Sequence, residues 1–448
     1  MTDTRDPLVR RKVFVEAFGC QMNVLDGELA ASRLSARGWD RTDDVEAADM
    51  VLFNTCSVRD QSENRVWSRL GALRERKERD PGFLIGVMGC MAQREAESVL
   101  RRMPHVDLVC GTRRFQEIDK LIERAETEGP VLAVETDGYV DVIRDVSIRP
   151  VRHRAFVSVM RGCDHKCSYC IVPTTRGTQI DRPEEDVLDE VQRLAADGVR
   201  EVTLLGQNIN TYGRYLPSKP TLGSLIRSVH GVDGIERIRF ITSNPMDLQD
   251  ELLESMAGIP AACGYLHFPA QSGSDSVLKR MYRGYTREKY LKLCARAREL
   301  HPGIELASDF IVGFPGETDA EYAETRRLVE EAQFKQIYVF KYSPRPGTRA
   351  SGLEDDVSWD TKRDRKNDLL SLNEAISIER HARFVGTELE VLVDGPSRQP
   401  KRLTSRSEGN HVVHFEGPAC LQGRFVRVGI ERTTASALYG SYVPGTER

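Results

Sequence analysis

Apolar runs alternate with amphipathic stretches through the first third of the chain. The runs are KVFVEAF, DMVLFNT, FLIGVMG, VDLVCG and VLAV, and they lie between residues 12 and 135. Buried strands that alternate with helices predict a parallel sheet with helices on both faces. We therefore expect an N-terminal, doubly wound α/β domain over residues 11–130, followed by a linker over residues 131–150.

A second series of six strand-like runs follows, and the same kind of helical segment separates them. The runs are RAFVSVMRG, EVTLLG, RIRFIT, GYLHFP, LASDFIVG and QIYVF. Six βα units are fewer than a closed eight-fold barrel needs. The pattern predicts an α/β domain over residues 151–384, ending in a charged helix, and leaves open whether its strands form an open sheet or a partial barrel.

The last part of the chain has a different pattern of apolar and polar residues. From Gly386 onward, short alternating runs such as LEVLVDG, RLTSRSEG, HVVHFEG and RFVRVGI are separated by turn residues. Short strands with frequent turns are typical of small antiparallel barrels. We expect a small β-barrel over residues 385–446.

Composition narrows the classes of function without identifying one. The chain has 448 residues, with 64 Lys and Arg against 68 Asp and Glu, so no global charge announces a nucleic-acid or membrane partner. The sequence contains no run of about 18 apolar residues, the length that a membrane-spanning helix needs. We expect a cytoplasmic protein, and in a reducing compartment its ten cysteines are better suited to metal binding or catalysis than to disulfides.

Three cysteines occur within eight residues at C-x3-C-x2-C spacing, directly after an apolar strand. They are Cys163, Cys167 and Cys170 in RGCDHKCSYCIVP. Three thiolates can hold a 4Fe–4S cluster and leave one iron open, where S-adenosylmethionine (SAM) could chelate. The alternative is a structural zinc site completed by His165 or a distant ligand, but paired C-x2–4-C units are the usual spacing for zinc.

This motif resembles that of the radical SAM superfamily, in which an aromatic residue, here Tyr169, commonly precedes the third thiol. The resemblance implies a partial (β/α)6 barrel with the cluster at its open, C-terminal mouth. It therefore favours the partial barrel over the open sheet for the second domain.

The thiols of a second set lie far apart in the sequence but should lie close together in the predicted fold. Cys20, Cys56 and Cys90 each follow the carboxyl end of a predicted strand, in KVFVEAFGC, MVLFNTC and LIGVMGC. Those ends share one edge of a parallel sheet, so the three thiols should converge there. They would suit a second 4Fe–4S cluster; the alternative is three buried thiols that pack as small apolar groups. Cys110 also ends a predicted strand of this domain.

Four motifs together extend the resemblance. GCQMNVLDGE, NTCSVR, GCMAQ and RGCDHKCSYCIVP occur in the order found in the radical SAM methylthiotransferases, and GCQMN is similar to the tRNA enzymes of MiaB type. The resemblance implies that Cys20, Cys56 and Cys90 ligate an auxiliary 4Fe–4S cluster, that the other triplet ligates the radical SAM cluster, and that residues 385–446 form an RNA-binding TRAM barrel.

The implied activity is addition of a methylthio group to carbon 2 of N6-isopentenyl adenosine next to the tRNA anticodon. Two alternatives stay open: a methylthiotransferase that modifies a ribosomal-protein aspartate, and a non-catalytic, zinc-stabilised RNA-binding protein. The implied partners are the tRNA anticodon stem-loop, an external reductant and a sulfur donor, with no membrane partner. We expect a monomer.

Candidate contacts for the substrates come from the predicted strand ends and the last domain. For SAM, beside Tyr169, they are Gln207, Asn208, Ser243, Asn244, Gln271 and Asp309. For RNA phosphates they are Lys401, Arg402, Arg406, Arg424 and Arg427, although these side chains could equally form an ordinary solvated surface.

Overall fold

The computed structural model describes residues 10–57, 60–136 and 144–448 of the chain. These residues form two compact units. The first comprises the chain up to residue 150 together with residues 161–165 and 170–179, and the second comprises residues 151–160, 166–169 and 180–448. Part of the predicted linker, residues 137–143, lies outside the described residues.

The first unit is built on one parallel sheet. Its strands are β1 (Arg11–Phe18), β2 (Trp39–Thr42), β3 (Met50–Thr55), β4 (Leu84–Gly89), β5 (Leu108–Cys110) and β6 (Val131–Ala133), in the order β2-β1-β3-β4-β5-β6. Its helices are α1 (Gln21–Ser35), α2 (Asp60–Ala72), α3 (Arg74–Arg79), α4 (Cys90–Glu95), α5 (Glu97–Arg102), α6 (Ile118–Glu128) and α7 (Val172–Arg176), with a 3-10 turn at Phe115–Glu117. The predicted doubly wound fold is confirmed.

The strand order explains where a ligand can bind in this sheet. β3 and β4 are buried along their whole length, since helices cover both faces. The chain leaves β1 towards β2 on one side and returns as β3 on the other, which makes the gap between β1 and β3 the point where the strand order reverses. Open α/β sheets bind ligands outside the carboxyl ends of the strands at such a point.

The second unit begins with six parallel strands. They are β7 (Arg154–Ser158), β10 (Glu201–Leu205), β11 (Arg237–Ile241), β12 (Tyr265–His267), β13 (Glu305–Val312) and β14 (Gln336–Lys341); the short strands β8 (Met160–Arg161) and β9 (Ile180–Asp181) precede β10. The first three and the last three pair as two parallel sheets, and a parallel bridge between Ile238 and Ala262 joins them. The strands thus follow one another in sequence order, as a partial (β/α)6 barrel requires.

Helices cover the outside of this partial barrel. They are α8 (Glu184–Ala196), α9 (Leu222–His230), α10 (Asp250–Gly258), α11 (Asp275–Arg280), α12 (Arg287–Leu300), α13 (Asp319–Ala332) and α14 (Trp359–Ala382), with 3-10 turns at Ile209–Thr211, Pro245–Asp247 and Arg349–Gly352. Capping favours several of them: the side chains of Thr221, Thr286 and Thr318 accept hydrogen bonds from first-turn amides of α9, α12 and α13.

A closed five-stranded barrel ends the unit. Its strands are β15 (Glu388–Pro396), β16 (Arg402–Ser407), β17 (Val412–Glu416), β18 (Phe425–Thr433) and β19 (Leu438–Tyr442), with a 3-10 turn at Ala419–Leu421. The first four were predicted from their alternation. β19 has the mixed sequence LYGSY, which carries no such pattern, and it closes the barrel between β17 and β18.

The small barrel is joined to the amino ends of the larger barrel's strands. Arg237, the first residue of β11, donates to the backbone oxygens of Arg406 and Glu390, and Arg239 donates to those of Ser407 and Glu408. Buried guanidinium groups need such acceptors. The opposite, carboxyl ends of the strands are left for chemistry.

No helix among the described residues is long and apolar enough to cross a membrane.

Candidate functional site

The three dispersed thiols of the first unit converge at the carboxyl edge of its sheet. Cys20 is the N-cap residue of α1, Cys56 follows β3, and Cys90 is the first residue of α4. The Cys20 and Cys56 side chains are hydrogen-bonded to each other. A Cβ atom on Gly19, whose φ is +146°, would lie 2.3 Å from Cys56 Cβ, so this approach requires glycine.

A buried guanidinium group accompanies these thiols. The Arg176 side chain lies near both Cys90 and Cys20. The hydrogen bond with Cys56, assisted by Arg176, lowers the pKa of Cys20 to about 6, whereas burial raises the pKa of Cys90. One thiol is therefore readily ionised, and a fixed positive charge is in place for the negative charge that three thiolates bring.

Two arginines share one carboxylate beneath this edge. Asp26 in α1 accepts from Arg176 Nη2 at 2.9 Å and from Arg161 Nη1 at 2.8 Å, and all three side chains are buried. Asn23 accepts from Cys20 Sγ at 3.2 Å and donates to Asn54 Oδ1 at 2.9 Å, which fixes the start of α1 against β3. The sequence analysis missed Asp26, Arg161 and Arg176; Asp26 lies within the GCQMNVLDGE motif.

The fit of a 4Fe–4S cluster at this edge rests on the donor set. The donors at this edge are thiols alone, and thiolate sulfur is the ligand that binds iron–sulfur clusters. Ser57 Oγ, next to Cys56, is buried and has no hydrogen-bond partner among the described residues. No three His, Cys, Asp or Glu side chains in the described ranges are grouped tightly enough for a single ion. A cube of four irons spreads its ligands over separate metal atoms, so it does not need that grouping.

The C-x3-C-x2-C loop is divided between the two units, with Cys163 and Cys170 in the first and Cys167 in the second. In the first, the Cys163 amide donates to Gly177 O at 3.1 Å, and Cys170 precedes α7, whose Thr175 backbone oxygen accepts from Thr112 Oγ1 at 2.5 Å. In the second, Cys167 Sγ accepts from Arg283 Nη1 at 3.4 Å. All three thiols are partly exposed, as ligands of an accessible cluster must be.

The residues between the second and third thiol are anchored in the second unit. The Ser168 amide donates to Met281 O at 3.0 Å, and its hydroxyl donates to Arg280 O at 2.8 Å. Tyr169 packs against the buried apolar cluster that includes Met281 and Phe314. Tyr169 is thus a packing residue of the loop, whatever else it contacts.

The candidate SAM contacts lie at or near the carboxyl ends of β10 to β13. Gln207 and Asn208 follow β10, and Asn208 Nδ2 donates to Asp247 Oδ2 at 2.8 Å. Ser243 and Asn244 follow β11, where Asn244 Oδ1 caps the next turn by accepting from the Met246 amide. Their position at this edge agrees with the prediction, while their contact with SAM stays a prediction.

Two further candidates are engaged with their neighbours. Gln271 has a left-handed φ of +68° and pairs through its backbone with β13. The Asp309 carboxylate lies 3.0 Å from His267 Nε2, and the His267 ring meets Tyr338 edge-on at 6.0 Å between centroids. His267 and Tyr338 were not among the sequence-based candidates, because a single His or Tyr within a strand carries no motif.

Several buried polar atoms at these strand ends have no hydrogen-bond partner among the described residues. They are Asn208 Oδ1, Asn210 Nδ2, Ser243 Oγ and His267 Nδ1. Buried polar groups are nearly always satisfied in folded proteins, so each calls for an explanation. A polar ligand bound at the mouth of the partial barrel would satisfy them, which fits the ribose, amino and carboxylate groups of SAM.

The remaining cysteines are placed as ordinary core or surface groups. Cys110 ends β5, is fully buried, and has its pKa raised by burial. Cys263 and Cys294 are also buried, and Cys420 is exposed. Burial outweighs the attraction of the nearby Arg114 and keeps the Cys110 thiol protonated, so Cys110 differs from Cys20 in chemistry although both lie at the end of a strand.

The candidate RNA contacts are dispersed over the small barrel. Lys401, Arg424 and Arg427 are exposed. Arg402 and Arg432 both lie over the ring of Tyr439, and Arg406 hydrogen-bonds to Asn410. A cationic, aromatic surface of this kind suits a nucleic-acid backbone.

Comparison with known proteins covers nearly the whole chain. The Radical SAM superfamily model matches residues 157–329, the model described as uncharacterized protein family UPF0004 matches residues 12–111, and the TRAM domain model matches residues 382–443. A protein from Geobacter sulfurreducens named tRNA-2-methylthio-N(6)-dimethylallyladenosine synthase is 44% identical over 96% of this chain and 97% of its own length. The chain belongs to this synthase family. A relative of the same name from Akkermansia muciniphila is 40% identical over 97% of this chain and 99% of its own.

Solved structures support the fold independently of sequence. A radical S-adenosylmethionine methyltransferase, TsrM, from Kitasatospora setae, solved with cobalamin and a 4Fe–4S cluster, matches with a TM-score of 0.55 at 16% identity, covering 77% of each chain. OxsB, a cobalamin-dependent SAM radical enzyme, matches with a TM-score of 0.52 at 13% identity, over 82% of this chain and 56% of its own. At these identities, the likeness concerns the fold alone.

Proposed function

We propose that this member of the synthase family is a transferase that adds a methylthio group to carbon 2 of N6-dimethylallyl (isopentenyl) adenosine next to the tRNA anticodon. The observation that carries the proposal is the meeting of Cys20, Cys56 and Cys90 beside the buried Arg176 guanidinium. Thiols that converge beside a fixed positive charge can hold a metal cluster as thiolates, and the proposed chemistry needs such a cluster. The near full-length similarity to the named synthases supports the same conclusion.

In this proposal, the six predicted cysteines hold two 4Fe–4S clusters, with Cys163, Cys167 and Cys170 as one ligand set and Cys20, Cys56 and Cys90 as the other. When bound, the clusters and SAM would supply the 5′-deoxyadenosyl radical and the sulfur and methyl groups of the product. An external reductant and a sulfur donor complete the partners. We further propose that the protein acts as a monomer in the cytoplasm.

The chain's own residues would position the reactants. Arg176 balances the charge of the sheet-edge thiolates, and Asp26 holds Arg176 in place. Arg283 orients Cys167 through its hydrogen bond to the sulfur. Asn208 Oδ1 and Ser243 Oγ would bind polar groups of SAM, and the candidates Gln207, Gln271 and Asp309 would line the same mouth. Holding reactive groups in fixed geometry and away from bulk water is the part that a protein plays in radical chemistry.

The test is anaerobic reconstitution of the full chain with iron and sulfide, followed by SAM, a reductant and tRNA. We expect 2-methylthio-N6-isopentenyl adenosine in the nucleoside digest, detected by mass spectrometry. The matched substrate is the same tRNA without the isopentenyl group. A reconstituted enzyme that forms 5′-deoxyadenosine but no methylthio nucleoside would contradict the proposal, and methylthiolation of a ribosomal protein instead would favour the aspartate-modifying alternative.

A further inference from the structure

A tyrosine stands at the end of α11 in a position that normally takes glycine. The amide of Tyr282 donates to Lys279 O at 3.1 Å and that of Arg283 donates to Leu278 O at 2.9 Å, the two hydrogen bonds of a Schellman motif. Tyr282 has the left-handed φ of +57° that this motif requires. Glycine adopts this conformation without strain, whereas a bulky side chain does so at a cost.

The strained tyrosine gains little from packing. Its residue is 58% exposed, and its ring carries a cation, with Arg349 Cζ 5.2 Å from the ring centroid. Arg349 is itself exposed. A costly backbone conformation that presents an aromatic ring to solvent points to a role outside folding.

Both residues adjoin the loop that bears the C-x3-C-x2-C thiols. Ser168 of that loop donates through its amide to Met281 O at 3.0 Å, and Ser168 O accepts from the Ala350 amide at 2.8 Å. Tyr282 follows Met281 and Arg349 precedes Ala350, so each is one residue away from a hydrogen bond to Ser168. The residue after Tyr282, Arg283, donates to Cys167 Sγ.

The support beneath this pair is rigid. Met281 and Ala350 belong to one buried apolar cluster with Val277, Phe314 and Tyr342, and Tyr342 donates through its hydroxyl to Ala350 O at 2.8 Å. Close-packed groups of this kind hold the backbone of both flanking segments. The ring and the guanidinium group are therefore presented from a fixed base and need little ordering when a ligand binds.

The local charge indicates the class of ligand. Lys166 in the thiol loop and Lys279 in the last turn of α11 are exposed, in addition to Arg349. The nearby Arg280 is neutralised by Glu321, at 2.9 Å. An exposed ring with a cation over it is the combination that binds single-stranded nucleic acid, in which bases stack on aromatic side chains and phosphates bind Arg or Lys.

We propose that Tyr282 and Arg349 form a platform for RNA beside the thiol loop, where the base of a nucleotide next to the target adenosine stacks on Tyr282 and a phosphate binds Arg349. The inference rests on the proposed function, because only a tRNA substrate brings such a nucleotide to this mouth. With Arg349 near one face of the ring, the other face takes the base. The target base itself would then be free to enter the mouth.

The test uses full-length reconstituted protein and an isopentenylated anticodon stem-loop RNA that carries 2-aminopurine beside the target adenosine. Tyr282→Gly relieves the backbone strain, so we expect it to keep or raise the unfolding temperature. It should weaken RNA binding about fivefold or more and reduce the quenching of 2-aminopurine. Tyr282→Phe keeps the ring and should restore both. Arg349→Ala should lower the slope of log affinity against log salt by about 0.7, while Tyr282→Gly leaves the slope unchanged.

The matched control is Trp359→Ala, which removes another exposed ring that carries a cation, Lys341, at the start of α14. The proposal requires that this variant bind RNA as the unaltered chain does. Wild-type affinity and quenching in Tyr282→Gly would overturn the platform, as would an equal loss in Trp359→Ala. A raised KM for SAM at unchanged RNA affinity would assign the ring to SAM instead and also overturn it. Failure of the unaltered protein to make any methylthio nucleoside, with RNA binding still dependent on Tyr282, would refute the proposed function separately.

Discussion

The buried ion cluster of Asp26, Arg161 and Arg176 allows the cost of leaving a buried charge unpaired to be measured. Asp26→Asn keeps the size of the side chain but removes the negative charge that accepts hydrogen bonds from Arg161 and Arg176. The exposed fractions of the three side chains are 1% for Asp26, 7% for Arg161 and 5% for Arg176. The substitution therefore leaves two guanidinium groups buried without the carboxylate that they share.

The magnitude follows from that burial. Removing one partner of a buried ion pair costs about 3–5 kcal/mol, because the remaining charge stays out of water. Asp119 provides the matched control: it is also 1% exposed and also accepts from two arginines, each at 3.0 Å. Its partners Arg33 and Arg37 are 40% and 52% exposed and can hydrate when released. Asp119→Asn should therefore cost only about 1 kcal/mol.

Tryptophan fluorescence can report on this unit alone. The chain has three tryptophans, and Trp39 and Trp67 lie in the first unit while Trp359 lies in the second. In a Trp359→Phe background, urea unfolding followed by fluorescence gives the free energy of unfolding of the first unit. The reasoning predicts a difference of about 2–4 kcal/mol between the two Asp variants. Losses that agree within about 0.5 kcal/mol would refute it, since burial of the arginines would then have no effect.

Three further predictions follow from the sites and from the joint between the barrels. Cys163→Ala should abolish 5′-deoxyadenosine formation, whereas Cys56→Ala should keep some SAM cleavage and lose the methylthio product; the reverse pattern would mean that the two ligand sets are exchanged. Burial lowers the pKa of His411 to about 4, below its value of about 6.5 in unfolded chains. As the pH falls, the unfolded state therefore binds this proton first, and the free energy of unfolding should fall by about 3 kcal/mol between pH 6.5 and 4. Burial alone would raise the pKa of Glu305, but the neighbouring His411 and Arg380, whose Nη2 donates to Glu305 Oε2 at 2.7 Å, lower it to about 2, so the loss should continue below about pH 4.3. Acid titration of unfolding for the unaltered chain and His411→Gln checks both, and an unchanged pH dependence in the variant would contradict the assignment.

The sequence predicted the elements and the three-thiol edge because both depend on local periodicity. Cys20, Cys56 and Cys90 follow recognisable apolar strands, and parallel pairing then brings the strand ends together. The same reasoning gave six strands in sequence order for the partial barrel. Short strands with mixed sequences, β2 with WDRT and β19 with LYGSY, carried no such signal and were missed.

The surroundings of the thiols could not be predicted in the same way. Asp26 meets Arg161 and Arg176 across 135 and 150 positions of sequence, and no local pattern specifies such a contact. Tyr282 is similar, since only the backbone shows that it occupies a left-handed position usually given to glycine. Local sequence patterns thus predict where the cysteines lie, whereas the charged and aromatic side chains around them are brought there by tertiary packing. The exact domain boundaries and the SAM contacts stay predictions.

The central claim is that six cysteines act as two independent triplets, and iron analysis of anaerobically reconstituted variants tests it most directly. Replacing Cys20, Cys56 and Cys90 together by Ala should leave half of the iron and sulfide, and the remaining centre should still respond to SAM in its electron paramagnetic resonance spectrum. Replacing Cys163, Cys167 and Cys170 should also leave half, without that response. Full iron content in either triple variant, or loss of all iron in both, would contradict the account.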